Sequence, residues 1–293
     1  MKTRKGFPIG TKDVVITRCK MDPHIDIQAV AAEAFATLDT GRQISPFSSR
    51  LSSFNLDDAY RVTAAIRQMR ESRGEMPVGR KIGFTNRTIW AEYNVYAPIW
   101  GYVYDRTVHD LAEIGDTFSL MHLAEPRIEP EIVFRLAVAP VPGMDEKTLL
   151  AGVDWVAHGF EVVQSIFPGW RFTAPDTVAA FGLHGALLIG PRYPIAADAE
   201  NWSRTLSTFE IDLKRDGTVV DHGCAANVLG GPVSALHHLI GLFARDQVNP
   251  PLAAGEIVTT GTLTRALPVA RGETWTTGLT GVALDCICVR FGD

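Results

Sequence analysis

The chain is poor in the features that mark a specialised environment. Four cysteines (Cys19, Cys224, Cys286 and Cys288) occur in 293 residues, too few and too scattered for a disulfide framework. Cys286 and Cys288 have no second pair at ligand spacing, so they do not announce a zinc site. Within the apolar run 282–291 they read as thiols packed in a strand. No uncharged apolar stretch approaches the roughly 18 residues that a membrane span requires. The basic start, Met1-Lys2-Thr3-Arg4-Lys5-Gly6, lacks the apolar segment of a signal peptide behind it. The cytoplasm is therefore the expected compartment. Positive charge is not in excess either: 28 Lys and Arg against 33 Asp and Glu leave a net charge of −5. That balance argues against a protein that coats nucleic acid. H-E-x-x-H, G-x-S-x-G, a P-loop and G-x-G-x-x-G are all absent, and His237-His238, adjacent on a helical run, do not share a face. No fixed-period repeat or low-complexity tract occurs.

What is present is an ordinary globular composition, 46% apolar and 21% charged, long enough to bury a substantial core. Helical spacing predicts a helix over 27–39 and a second one capped by Asn55 or Asp57 that ends before Gly74 and Pro77. A third follows Gly231-Pro232, with proline at its start and an apolar stripe. After Gly79 the texture changes to short β-like runs at 99–104, 128–136, 159–165, 186–190, 208–215, 257–260 and 282–291. So many strands with so few intervening helices favour an α+β chain with an antiparallel or mixed sheet. The expected division is an extension over 1–25, a helical N-terminal subdomain over 26–78, and a β-rich domain over 79–293.

The most informative stretch is Arg127-Ile128-Glu129-Pro130-Glu131-Ile132-Val133-Phe134-Arg135-Leu136. With a period of two, Ile128, Ile132, Phe134 and Leu136 lie on one side and Glu129 and Glu131 on the other. Same-side residues of a strand are roughly 6.5–7 Å apart, close enough for both carboxylates to reach one cation. Left alone they repel, and burying either is costly. The alternative is a solvated face on which Arg127 and Arg135 neutralise the glutamates.

Two other stretches weigh against that alternative. Lys81-Ile82-Gly83-Phe84-Thr85 resembles a K-I-G-L-T motif, and Glu129-Pro130-Glu131-Ile132-Val133-Phe134 resembles E-x-E-I-A-F. A third glutamate, Glu161, stands in Gly159-Phe160-Glu161-Val162-Val163. Together they resemble the 2-keto-4-pentenoate hydratase and oxalocrotonate decarboxylase family of the fumarylacetoacetate hydrolase superfamily, from about Ala31 to the C-terminus. The resemblance implies a mixed β-sheet roll or barrel with an N-terminal helical subdomain, and a homo-oligomer. It implies that Glu129, Glu131 and Glu161 ligate Mg2+ or Mn2+, and that the metal holds a 2-oxo acid. Lys81 then binds the substrate carboxylate or moves protons. Asp105, after a strand, is either an acid near the site or a turn residue. Thr85, Phe181 and Thr262 fall where the family meets its substrate, although the Thr262 hydroxyl equally suits a glycine turn.

The chain also departs from that pattern. Where the family tends to read V-A-D-N-A-S-S-G, it has Val178-Ala179-Ala180-Phe181-Gly182-Leu183-His184-Gly185. After Glu161, Gln164-Ser165-Ile166 stands in place of D-S-R. His184 is accordingly a candidate replacement acid/base or carboxylate contact, against simple packing. The resemblance implies a metal-dependent lyase that hydrates a 2-hydroxy-dienoate or 2-oxo-alkenoate from aromatic ring cleavage. Decarboxylation of a vinylogous 2-oxo diacid, C–C hydrolysis of a diketo acid, and a non-catalytic partner subunit are the alternatives.

Overall fold

The computed structural model describes residues 25–293. The expected extension, with Cys19, lies outside the described residues apart from its last position. The helix Ile27–Phe35 starts where the Asp26 carboxylate accepts from the Ala29 amide and buries Val30, Ala31 and Ala34. It ends earlier than its spacing predicts. The chain tightens into turns after Ala36, and Asp39 and Gly41 take positive φ. The helix Leu56–Ser72 is capped by Asn55, whose side chain accepts from the amides of Asp57 and Asp58. Such a cap contributes about 1 kcal/mol. Both helices share one apolar core with Val163, Ile166, Phe167 and Val178. The helix Pro232–Phe243 buries Val233, Leu236, Leu239 and Phe243 in a second core with Ile132, Phe134 and Val258.

Thirteen strands are described. They begin with β1 (Pro77–Gly83), β2 (Ile99–Tyr104), β3 (Val108–Asp110), β4 (Phe118–Ser119) and β5 (Arg127–Leu136). Next come β6 (Val153–Val163), β7 (His184–Pro194), β8 (Glu210–Arg215) and β9 (Thr218–Cys224). The last are β10 (Ile257–Thr259), β11 (Leu267–Pro268), β12 (Thr274–Thr280) and β13 (Cys288–Gly292). The larger sheet runs β2-β1-β10-β5-β6-β7-β3 with β11 also on β5, and the smaller runs β4-β13-β12-β8-β9. The larger sheet is mixed, because β1 pairs with β10 and β3 with β7 in parallel while its other pairs are antiparallel.

One interruption matters for function. On the flank away from β6, strand β5 pairs with β10 at Val133–Arg135 and with β11 at Arg127–Ile128. Between these the loop 260–263 lies against β5, with the Thr260 amide on the Ile132 carbonyl and the Leu263 amide on that of Pro130. Pro130, which has no N–H to give a ladder, falls at this gap.

The run 282–291 does not form one continuous strand. Only 288–292 pair, and Val289 and Phe291 face inward. Cys286 and Cys288 are exposed free thiols, not packed ones. The alternation of β13 puts Cys288 on the outer face because its larger apolar neighbours take the inner one.

Candidate metal centre and active site

Glu129 and Glu161 are direct partners across the antiparallel β5–β6 ladder, and Glu131 lies two residues along the same face. Direct cross-strand neighbours stand about 5 Å apart at Cβ, so the register alone gathers the three side chains. One carboxylate oxygen from each lies within 4.8 Å of the others. Glu131 and Glu161 are fully buried and Glu129 is 9% exposed.

The hydrogen bonds leave a gap in the middle. Glu131 Oε2 accepts from the Gly261 amide at 2.8 Å, and Glu161 Oε1 meets His184 Nδ1 at 2.7 Å. Of their second oxygens, Glu131 Oε1 is buried without a hydrogen-bond partner, and Glu161 Oε2 is buried with only the Lys81 ammonium beside it. A buried carboxylate oxygen without a partner calls for an explanation, and a bound ion is one. Burial, followed by the neighbouring carboxylates, pushes Glu131 well above the usual carboxylate range. Burial likewise raises Glu129, to about 7, against the pull of Lys81. Glu161 is buried too, yet Lys81 and His184 hold it down to about 2. One lysine cannot neutralise three buried carboxylates, whereas a dication adds the missing charge. An all-oxygen donor set with room for further ligands fits Mg2+ or Mn2+ better than zinc.

Lys81 enters from β1. Its Nζ donates to the Gly182 carbonyl at 3.1 Å and lies 3.1 Å from Glu161 Oε2. Burial alone would lower its pKa, but the three glutamates outweigh that and raise it, so the amine is an ammonium here. The Gly182 carbonyl is presented by an unusual turn. Phe181, Gly182 and Leu183 have φ of 61°, 62° and 65° in succession. For the two residues with side chains this left-handed conformation costs roughly 1–2 kcal/mol each. Strain of this kind persists where packing imposes it, and it tends to gather at functional sites. Phe84 and Trp170, which line the same cleft, also have positive φ.

That cleft is narrow, with a volume of about 30 Å³. Lys81, Glu129, Gly182, Gly261 and Thr262 supply its polar floor, and Phe84, Ile89, Tyr93, Trp170, Leu183 and Ala266 its apolar walls. Thr262 is therefore at the cleft, with its hydroxyl donated to the Thr264 carbonyl at 3.0 Å. Thr85 is behind the wall. Its hydroxyl donates to the Thr260 carbonyl at 3.1 Å and packs against Gly261, so it shapes the loop that reaches Glu131. The Phe181 side chain packs in the core shared with the N-terminal helices, and its backbone turn rather than its ring reaches the site.

His184 stands behind Glu161, outside the cleft lining, so it does not take the acid/base position at the substrate that the sequence suggested. Of the two readings of Asp105, the structure shows the turn residue. It is exposed in a turn, its carboxylate accepts from the amides of Met76 and Arg106, and it lies away from the cleft. An aspartate after a strand satisfies turn amides as readily as it does chemistry. Sequence reasoning missed the Gly261 amide, Thr107 behind His184, and the walls Tyr93 and Trp170. Of these only the Thr260-Gly261-Thr262 turn carried a signal.

No protein-family model matches the chain. The 4-oxalocrotonate decarboxylase of Pseudomonas sp. strain CF600 is 33% identical over 80% of this chain and 84% of its own length. The 2-keto-4-pentenoate hydratase of Paraburkholderia xenovorans strain LB400 is 30% identical over 87% and 91%. Among solved structures, 4-oxalocrotonate decarboxylase from Pseudomonas putida G7, complexed with magnesium and adipate, superposes with a TM-score of 0.80 at 28% identity. That match covers 90% of this chain and 97% of the other. Fumarylpyruvate hydrolase from Pseudomonas aeruginosa, with Mn2+ and pyruvate, shares the fold at a TM-score of 0.53 and 16% identity, over 73% of this chain and 88% of its own. Fold and site thus define the class of metal-dependent lyases built on the fold that fumarylacetoacetate hydrolase proteins share. Within it, the chain belongs to the 2-keto-4-pentenoate hydratase and 4-oxalocrotonate decarboxylase family.

Proposed function

We propose that the protein adds water to the conjugated double bond of a 2-hydroxy-dienoate or 2-oxo-alkenoate. The observation that carries this reading is the meeting of three buried glutamates, with Glu131 Oε1 lacking a hydrogen-bond partner and the Lys81 ammonium alone answering Glu161 Oε2. Glu129, Glu131 and Glu161 would hold the divalent ion, which when bound polarises a 2-oxo group and stabilises the negative charge that develops on it. Lys81 keeps an N–H beyond those engaged by Glu161 and Gly182, and offers it to the substrate carboxylate or the developing oxyanion. The aromatic and aliphatic walls take the carbon chain and shield the site from bulk water.

A second reading, decarboxylation of a 2-oxo diacid, has one specific feature in its favour. Arg127 lies on the same face of β5 as the glutamates and donates to the Tyr93 hydroxyl at 2.6 Å. Its guanidinium carbon lies 4.3 Å from the Trp170 ring centroid. Tyr93 and Trp170 both line the cleft, and Arg127 stands against them outside the lining, so a second carboxylate at that wall would feel a nearby cation. Supplying the Mg2+-loaded protein with 2-hydroxypenta-2,4-dienoate and, separately, with 2-oxohex-3-enedioate separates the two. Water addition to the first supports hydration, carbon dioxide release from the second alone replaces it with decarboxylation, and inertness to both sinks the enzyme reading.

We further propose a cytoplasmic homo-oligomer. The three free cysteines among the described residues suit a reducing compartment, and exposed Met76, Tyr96 and Met121 suit a subunit interface. Light scattering that gives a monomer mass at micromolar concentration would remove the second half of that proposal.

A further inference from the structure

His184 replaces a serine of the family pattern, and the structure gives it two side-chain partners. Nδ1 lies 2.7 Å from Glu161 Oε1 and Nε2 lies 2.8 Å from Thr107 Oγ1. An ionised carboxylate can only accept, so Nδ1 carries the proton, and Nε2 of the neutral ring accepts from the Thr107 hydroxyl. Thr107 Oγ1 accepts in turn from the Tyr104 amide at 3.4 Å, and the Tyr104 carbonyl at 3.0 Å is a second acceptor that competes for its single proton. The imidazole is 3% exposed and cannot swing away. Its backbone is also pinned, because the Gln164 side-chain amide donates to the His184 carbonyl at 3.4 Å. Gln164 is itself a departure from the family pattern, so the two changes meet at one place.

Glu161 is the carboxylate with the strongest competing pull. Its Oε2 is drawn toward the Lys81 ammonium at 3.1 Å, and a freely turning carboxylate there would present both oxygens to the amine. With Oε1 tied to His184, only Oε2 is left to face Glu129 and Glu131. We propose that His184 and Thr107 form a positioning pair that fixes the rotation of Glu161 and so sets the affinity of the site for a divalent cation. His184 is on this view a positioning residue that does not touch substrate. The inference rests on the three-glutamate metal site proposed above.

Isothermal titration of the metal-stripped full chain with Mn2+ tests it, alongside the Mn2+ activation constant and kcat at saturating Mn2+. Losing a hydrogen-bond partner of a ligating side chain typically weakens metal binding about 10–100-fold. His184→Ala is expected to raise the Mn2+ Kd by that factor while kcat at saturating metal stays near that of the wild type. His184→Asn, whose amide N–H can replace Nδ1–H, is expected to recover part of the affinity, and Thr107→Val to lose a smaller part. A His184→Ala protein that binds Mn2+ like the wild type overturns the inference. So does one whose kcat collapses at saturating metal with Kd unchanged, since His184 would then act on the substrate. If His184→Ala does not fold, His184→Asn and Thr107→Val decide by the same measurements: Thr107→Val with an unchanged Kd overturns the pairing. Wild-type protein that takes up no Mn2+ removes the metal site and this inference together, whereas an unaffected His184→Ala removes only the latter.

Discussion

Glu129 and Glu161 are partners in the β5–β6 ladder, two acids directly opposite each other in the middle of a mixed sheet. Like charges in that position destabilise a sheet, and Glu131 beside them adds a third. The structure tolerates the arrangement through Lys81, His184 and the Gly261 amide. Those groups answer some of the lone pairs and leave the central ones free.

Neutralising one acid should therefore stabilise the metal-free protein and abolish the effect of metal. Glu131→Gln keeps an acceptor for the Gly261 amide but removes a charge that burial and its neighbours disfavour. Its melting midpoint in EDTA is expected to exceed the wild type's. Wild-type protein should gain about 2.7 kcal/mol when Mg2+ is present at a hundred times its Kd, and the variant almost none. Thermal scans with and without Mg2+ measure both effects.

Lys81 is expected to be required for turnover, and its loss also to destabilise the metal-free protein. Lys81→Met fills the same volume and removes the ammonium that meets Glu161 and Gly182. A loss of about 10²–10⁴ in kcat is the usual consequence of removing a group that handles a proton or a developing charge. Lys81→Arg should not rescue, because the fork of a guanidinium does not fit the place of one compact ammonium. Steady-state rates with circular dichroism as a folding control settle the point.

Gly261 allows the approach of its loop to Glu131. It sits at φ +91°, and a Cβ there would lie 1.8 Å from Thr85 Oγ1. Gly261→Ala is expected to cost about 2–4 kcal/mol, combining a strained conformation with a clash. Thr85→Ala removes the closest atom. The double variant should then be less destabilised than the sum of the singles, a coupling of at least about 0.5 kcal/mol. Urea denaturation of the four proteins gives that coupling directly.

His158 makes stability depend on pH. Its Nδ1–H donates to the Glu131 carbonyl at 2.9 Å, and Nε2 lies 3.1 Å from the Thr277 hydroxyl. Burial holds its pKa down to about 4, against an ordinary 6.5, although the Glu131 carbonyl opposes the shift. Between those two values the unfolded chain binds more protons, so stability rises with pH. The contribution is fully present above pH 6.5 and disappears as the pH falls toward 4. A depression of this size corresponds to about 3 kcal/mol. His158→Asn, which can still donate to the Glu131 carbonyl, should show a flatter profile between pH 5 and 7.5 in chemical denaturation. Parallel profiles for the two proteins would contradict the assignment.

Much of this molecule was legible from one dimension. Alternation in 127–136 marked β5 and set both glutamates on one side, because a strand has a period of two whatever it packs against. Asn55, with a helical pattern after it, marked the start of Leu56–Ser72, and Gly231-Pro232 that of Pro232–Phe243. These are local rules, carried by residues close to one another in the chain.

What tertiary structure decided were the partners. Nothing near Glu161 says that it faces Glu129; that follows from the register of β5 on β6. The sequence offered Asp105 as an acid near the site or a turn residue, and the fold spends it on the Met76 and Arg106 amides while its neighbour Thr107 reaches His184. It offered His184 as an acid or base, a carboxylate contact or a packed side chain, and the fold places it behind a carboxylate. Identity and spacing determine which chemistry a side chain is capable of, whereas register and burial determine what stands within three ångströms of it, and that distance assigns the role.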